Sequence, residues 1–205
     1  MNVSNSVSAK QAKDWICLLL PNTVENRNAD PIQDYLTDLK LWASLLEERG
    51  VLDSDEMAQW VELAAVNPGR ASEVLADAKV LREAMFRVFS TVAEGGQPEP
   101  ADMDLLNDRI ADVYSHLEVS LDSAQPQWRW RDAEGKLEAL FWPAIHSAGQ
   151  LLTSDELGRL RNCNGDKCTW LFMDRSKNRS RRWCTMDVCG NRAKSKRHYA
   201  KVRNG

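Results

Sequence analysis

The chain contains 205 residues, of which 43% are hydrophobic and 28% are charged, and its formal net charge at pH 7 is −3. This length allows one sizeable helical core and a small appendage. The apolar run at residues 15–20 is too short to span a membrane and has no secretion signal around it, so the sequence disfavours a membrane or exported protein and we expect a cytoplasmic one.

The net charge hides a strong asymmetry along the chain. Residues 161–205 contain 13 Lys and Arg against 3 Asp and Glu, whereas residues 1–160 contain 14 and 27. So basic a segment is typical of a nucleic-acid-binding module. Two other interpretations stay open: some of the cations neutralise a cluster of thiolates, or the basic segment docks on the acidic part of the same or a neighbouring molecule.

The first 160 residues are predicted to form a mainly α-helical domain. Apolar residues recur there with a spacing near 3.6, and Gly50, Pro68 and Gly95 separate the blocks. Ser54 is the expected N-cap of the second helix. The predicted helices cover residues 32–48, 54–64, 71–93 and 103–121.

At residues 127–142 the apolar residues change from helical spacing to alternation, which predicts a small β-hairpin. Trp128 and Trp130 alternate with arginines, residues 132–136 have the composition of a polar turn, and apolar residues alternate again over 137–141. We therefore expect this hairpin at the edge of the helical domain.

Beyond the hairpin, a helix is predicted over residues 143–152 and a further one with Thr153 or Ser154 as its N-cap. We place the domain boundary at this point. The sequence thus predicts a helical domain at 1–153 and a cysteine-rich domain at 154–205.

Four of the five cysteines lie in the last quarter of the chain as two pairs of equal spacing, Cys163-x4-Cys168 and Cys184-x4-Cys189. Two such pairs supply the four soft ligands that tetrahedral Zn²⁺ prefers, so we predict one bound Zn²⁺. A site with four cysteine ligands leaves no position for water, which makes the metal structural. Two disulfides would use the same positions, but a reducing cytosol disfavours them. Cys17 stands alone in an apolar run and is predicted to be a core thiol.

The residues around the two pairs predict a zinc finger in the order knuckle, hairpin, knuckle, helix. Residues 169–174 alternate like a strand, residues 175–179 form a polar turn, and residues 181–183 return. Cys189 is expected next to the start of the last helix, where the helix dipole favours a thiolate, and Gly190 is expected to let the backbone approach the metal.

The last helix is too highly charged to be a core element and predicts contact with nucleic acid. The residues that we expect to contact phosphates or bases of double-stranded DNA are Arg181, Arg182, Arg192, Lys194, Lys196 and Arg197. Three alternatives stay open. They are a solvated helix without a partner, a protein-docking module, and an RNA-binding module in which bases stack on Trp170, Trp183 or Tyr199.

The cysteine-rich segment closely resembles a known family, the CGNR zinc finger. The resemblance rests on Cys163-x4-Cys168-Thr169-Trp170-Leu171-Phe172-Met173-Asp174 and on Arg181-Arg182-Trp183-Cys184, which leads to Cys189-Gly190-Asn191-Arg192. In that family the finger follows an ABATE-type helical domain, and the resemblance implies a stress-induced transcription regulator of bacteria. The four family cysteines correspond to Cys163, Cys168, Cys184 and Cys189.

The N-terminal half carries a fainter resemblance to the same family. It rests on the run from Leu18 to Val24, which includes Pro21-Asn22-Thr23, and on Leu81-Arg82-Glu83-Ala84. The resemblance implies a domain that senses a small-molecule effector, and the candidate ligand-binding residues are Asn22, Thr23 and Arg82, polar groups beside apolar neighbours. Each has an equally simple structural role: Asn22 and Thr23 as caps, and Arg82 as an ion-pair partner.

An enzyme is not predicted. The sequence contains neither a Gly-rich phosphate loop nor a His-Glu-x-x-His motif, and its three histidines are scattered without obvious catalytic partners.

One small finger contacts only a few base pairs, so specific recognition of DNA would favour a homodimer.

Overall fold

The computed structural model describes residues 15–121 and 126–203. Six α-helices and four short strands are present in these residues, together with four short 3-10 segments and one π-helical turn. The helices are α1 (Leu39–Glu48), α2 (Ser54–Val66), α3 (Pro68–Ala93), α4 (Pro100–Ser115), α5 (Trp142–Leu152) and α6 (Asn191–Arg203). The strands are β1 (Leu117–Ser120), β2 (Gln127–Trp130), β3 (Leu160–Asn162) and β4 (Leu171–Met173).

The predicted helices of the N-terminal domain, called the body below, are present, with corrections at their starts. Helices α3 and α4 each begin three residues before the predicted starts, at Pro68 and Pro100. Helix α1 begins at Leu39 and not near residue 32, because Asp38 caps it by accepting a 2.8 Å hydrogen bond from the Leu41 amide. The N-cap of α2 is Asp53 and not Ser54. Asp53 and Glu56 form a reciprocal capping box with two 2.8 Å bonds, which satisfies two amide groups at the helix start.

A β-hairpin is present in the body, but one of its two strands is not the predicted one. Strand β2 pairs antiparallel with β1, so that Val119 lies opposite Trp128. Helix α4 therefore ends at Ser115, before the residue 121 expected from its apolar spacing. The segment Leu137–Phe141, predicted as the second strand, is a 3-10 helix, because Leu140 is buried together with Leu137 and Phe141 and the apparent alternation does not describe two faces.

The zinc-finger segment also contains a β-hairpin, and again one of its two strands is not the predicted one. Strand β4 lies within the predicted residues 169–174, but it pairs antiparallel with β3, which precedes the first cysteine pair. The helix predicted after Ser154 is replaced by a single 3-10 turn, Leu157–Arg159, that leads directly into β3. Residues 181–183 form no strand; the Arg182 carbonyl instead accepts a hydrogen bond from the Asn164 amide at 2.9 Å.

The finger hairpin is packed against the body. The apolar core of the body helices also includes Leu160, Leu171 and Met173. In addition, the side-chain NH₂ group of Asn162 donates to the Ser90 carbonyl of α3 at 3.2 Å. The division at residue 153 stays a prediction, since side chains on both sides of it contribute to one core.

Candidate metal centre and basic groove

The four predicted metal ligands come together at one point of the finger. Cys163 follows β3 and Cys168 precedes β4, so both lie in the loop of that hairpin. Cys184 lies in the following loop, and Cys189 lies in a π-helical turn, Met186–Gly190, that leads into α6. All four side chains are buried, and their sulfur atoms lie within 4.8 Å of one another.

The spacing of the sulfur atoms fits a tetrahedral zinc ion. The Sγ atom of Cys184 lies 3.7 Å from those of both Cys168 and Cys189. Four sulfurs at about 2.3 Å from a central Zn²⁺ are separated by about 3.8 Å along each edge of the tetrahedron. Disulfide bonds would require sulfur atoms at about 2.05 Å, so the cluster is a metal site and not two disulfides.

The backbone around the cluster is shaped to fit it. A Cβ atom at Gly165 would lie 3.2 Å from the Cys189 sulfur and 3.3 Å from the Cys168 Cβ, so a larger residue would press on two ligands. Gly190 was expected to approach the metal, but its Cα faces Met186 instead, whose sulfur would lie 2.8 Å from an added Cβ. The Cys184 amide donates to the Cys163 sulfur at 3.4 Å, the kind of bond that stabilises a thiolate ligand.

The four buried thiols of the cluster influence one another's protonation. Hydrogen bonding to Cys168 and Cys184 lowers the pKa of Cys163, and the bond to Cys163 raises the pKa of each of those two thiols. Burial raises the pKa of Cys189. All four sulfurs can be thiolates at the same time only with a compensating positive charge between them, and one Zn²⁺ supplies that charge. The ion would hold the knuckles together and has no open coordination position for chemistry.

Asp174 organises the loop between the two knuckles. Its side chain is fully buried and accepts hydrogen bonds from the Ser176 amide at 2.9 Å, the Ser176 hydroxyl at 2.6 Å and the Arg181 amide at 2.9 Å. The bonds from Ser176 lower the pKa of this carboxyl group. Asp174 thus fixes the position of the chain before it reaches Cys184.

Four of the six predicted nucleic-acid contacts line one groove of the finger. This basic groove has a volume of about 730 Å³. It lies between α6 and the loop that carries Cys163 and Cys168, called the first knuckle below. Its cationic lining residues are Lys167, Arg182, Arg192, Lys196 and Arg197, and Trp183 and Cys189 also line it. The groove therefore adjoins the metal site itself.

Two predicted contacts lie outside the lining of the groove. The Arg181 guanidinium donates to the carbonyls of Trp183 and Cys184 and lies 4.9 Å from the centre of the Phe172 ring, so it stabilises the second knuckle. Lys194 is exposed on α6. The side chains at 194–200, 202 and 203 are all exposed.

Two carboxylates that the sequence analysis missed are paired with cations of the basic groove. Asp166 in the first knuckle forms an ion pair with Lys196. Glu25, in the body, lies 3.5 Å from Arg192 between carboxylate and guanidinium atoms. No pattern in the sequence indicated either pairing.

The candidate ligand-binding residues of the body have internal partners. The side-chain NH₂ group of Asn22 donates to the Leu171 carbonyl, and the side-chain oxygen of Asn22 accepts from the backbone N–H of Leu171, both at 2.9 Å. Asn22 thus extends the edge of β4. Arg82 is buried and donates to Thr23 at 3.2 Å and to Asp34 at 2.6 Å. Thr23 and Arg82 thus meet, whereas Asn22 connects the body to the finger.

A separate cavity lies between α3, α4 and α5. Its volume is about 150 Å³, and none of Asn22, Thr23 and Arg82 lines it. The floor is apolar and includes Val74, Ala78, Leu81, Val113, Phe141, Trp142 and Ile145, and the charged residues at the cavity are Arg70, Asp77, Arg109, Asp112 and Glu138.

The fold and the cysteine cluster define the class: a helical body joined to a zinc finger with four cysteine ligands. Residues 159–202 match the model of the CGNR zinc finger. Residues 14–155 match the model of the ABATE family, described as "Putative stress-induced transcription regulator". Since this match covers more than half of the chain, the protein belongs to the ABATE family.

Neither family description names an enzymatic activity. A comparison with curated proteins found no match. Among the described residues, no helix combines the length and the apolar character needed to cross a membrane.

Proposed function

We propose that the protein is a zinc-dependent transcription regulator whose finger binds double-stranded DNA through the basic groove and α6. The observation that carries this proposal is the convergence of Arg182, Arg192, Lys196 and Arg197 on one groove beside the metal site. Phosphate contacts by such cations supply most of the affinity of a protein for DNA. The exposed second half of α6 is free to enter a major groove. Such a regulator would act in the cytoplasm of a bacterial cell.

Salt dependence tests this proposal. Four phosphate contacts predict a slope of about −3.6 in the plot of log affinity against log salt, or about 100-fold weaker binding when salt rises from about 50 to about 200 mM. We would measure this with the full zinc-loaded chain and a mixed-sequence duplex of about 20 base pairs, two helical turns. The stoichiometry of the same titration reports whether a homodimer binds.

The same titration separates the alternatives. A protein-docking module would leave the duplex unbound at either salt concentration. An RNA-binding module would prefer a single-stranded RNA of equal length, because Trp183 in the groove or exposed Tyr199 would stack on unpaired bases. Either result would contradict recognition of duplex DNA.

We further propose that the cavity between α3, α4 and α5 receives the small-molecule effector. Its volume of about 150 Å³ suits a ligand of the size of a single aromatic ring, and Phe141 and Trp142 supply aromatic walls. We expect one of the probes indole, benzoate and benzylamine at millimolar concentration to raise the melting temperature of the wild type. The Ala78→Leu variant fills the cavity and should not respond. A wild type that responds to none of the three, or a variant that responds equally, would contradict this location.

A further inference from the structure

The segment at residues 20–27 of the body lies along the finger. Besides the paired bonds from Asn22 to Leu171, the Glu25 carbonyl accepts the Thr169 amide at 2.7 Å. The Arg27 amide donates to the Thr169 hydroxyl at 3.3 Å. These bonds place the side chain of Glu25 at the end of the basic groove.

The Glu25 carboxylate is held in that position from two sides. One oxygen lies 3.5 Å from the Arg192 guanidinium, and the other accepts a 3.4 Å hydrogen bond from the Tyr35 hydroxyl. Both side chains of the ion pair are partly exposed, 43% for Arg192 and 33% for Glu25, so a ligand from solvent can reach it. A carboxylate and a phosphate use the same kind of acceptor oxygen toward a guanidinium. Glu25 therefore occupies a place where a phosphate would bind.

The same segment is fixed to α3 of the body. Arg27 pairs with Glu83 at 2.8 Å, and its guanidinium lies 3.8 Å from the centre of the Phe86 ring. Arg82 donates to Thr23 in the segment. Leu81, the preceding residue of α3, lines the cavity of the body. Helix α3 thus contacts the segment that carries Glu25 and also lines the cavity.

We propose that Glu25 is an intramolecular competitor of phosphate, through which the body lowers the affinity of the finger for nucleic acid. This inference rests on the proposed function, since it concerns regulation of the same groove. Phosphate displaces the Glu25 carboxylate from Arg192. A shift of residues 20–27 together with α3 also releases Arg192 from Glu25. The body then controls DNA binding by the position of one charge, with the zinc site unchanged.

The test compares Glu25→Gln with the wild type in the titration of the full zinc-loaded chain with the duplex of about 20 base pairs. A partly exposed ion pair contributes about 0.2–1 kcal/mol, so we expect binding to become up to about five-fold tighter at low salt and less so at high salt. Tyr35→Phe, which loosens the same carboxylate, should act in the same direction. The matched control is Glu62→Gln on α2, which removes an equal charge from an exposed body position.

Arg192 supplies the decisive control. In an Arg192→Ala background, Glu25→Gln should no longer change the affinity, because the partner of the carboxylate is gone. Equal gains for Glu25→Gln and Glu62→Gln, or a loss of affinity in Glu25→Gln, would overturn the inference while leaving DNA binding established. Failure of both the wild type and Glu25→Gln to bind the duplex would refute the proposed function itself, and binding by the variant alone would support strong inhibition by Glu25.

Discussion

A Cys184→Ser variant is expected to lose its zinc and the folded structure of the two cysteine-containing loops, residues 163–168 and 184–190. The helical body and the β3–β4 hairpin packed against it should stay folded, because Leu160, Leu171 and Met173 belong to the body core. The sulfur of Cys184 lies 3.7 Å from those of Cys168 and Cys189, as expected for one corner of a tetrahedral site. Binding of structural zinc stabilises zinc-finger peptides by about 10–16 kcal/mol at pH 7, far more than so short a segment gains from its own core. Zinc content should fall from one ion per chain toward zero.

The matched control for this prediction is Cys17→Ser. Cys17 is fully buried in the body, outside the cluster, and burial raises the pKa of its thiol to about 12, so it is a core thiol and not a ligand. This variant should be somewhat less stable but keep one zinc per chain. Metal analysis together with near-ultraviolet circular dichroism separates the two variants, and a Cys184→Ser protein with full zinc content would refute the assignment of ligands.

The second large effect is expected from the double variant Arg192→Ala/Lys196→Ala. Both side chains line the basic groove, one turn of α6 apart. A hydrogen bond to a charged group contributes about 1.5 kcal/mol or more, so the loss of two predicts duplex binding weaker by on the order of 100-fold. The salt slope should become shallower by about 2. Affinity at several salt concentrations checks both values.

The control for the double variant removes the same charge elsewhere. Lys40→Ala/Arg49→Ala changes two exposed cations of the body, away from the cavity, and should alter duplex affinity little. Zinc content should stay at one per chain in both proteins, because neither changes a ligand. If the two double variants bind equally well, α6 does not contact the phosphates and another surface must.

The metal site could be predicted from the sequence because its signal is local. Two Cys-x4-Cys pairs bring their sulfurs together through short loops, and Zn²⁺ has a strict preference for such ligands. The helices of the body were predicted for the same reason, since apolar spacing and capping residues are properties of neighbouring positions. Errors at their starts arose where Asp38 and Asp53 compete with adjacent polar residues as caps.

The strand partners could not be predicted, because alternation identifies a strand but not the strand beside it. Strand β2 pairs back to β1 across the end of α4, and β4 pairs back to β3 across the first knuckle. Leu117-Glu118-Val119-Ser120 has the required alternation, but it was assigned to the preceding helix because the apolar spacing of that helix continues into it.

The connection between body and finger is the least predictable part of the molecule. Asn22 and Leu171 are 149 positions apart, and the pairing of an amide side chain with a strand edge leaves no pattern in the sequence. Glu25 likewise meets Arg192 only in the folded chain. The polar residues singled out as possible ligand contacts therefore include one, Asn22, that fixes the finger to the body.

The measurement that tests the account most directly is duplex binding by the wild-type chain before zinc chelation, after chelation and after zinc is restored. We expect salt-sensitive binding that disappears when zinc is removed and returns with one equivalent of zinc per chain. Duplex binding that survives complete removal of zinc would contradict it, because the basic groove is built on the loops that the four cysteines hold in place.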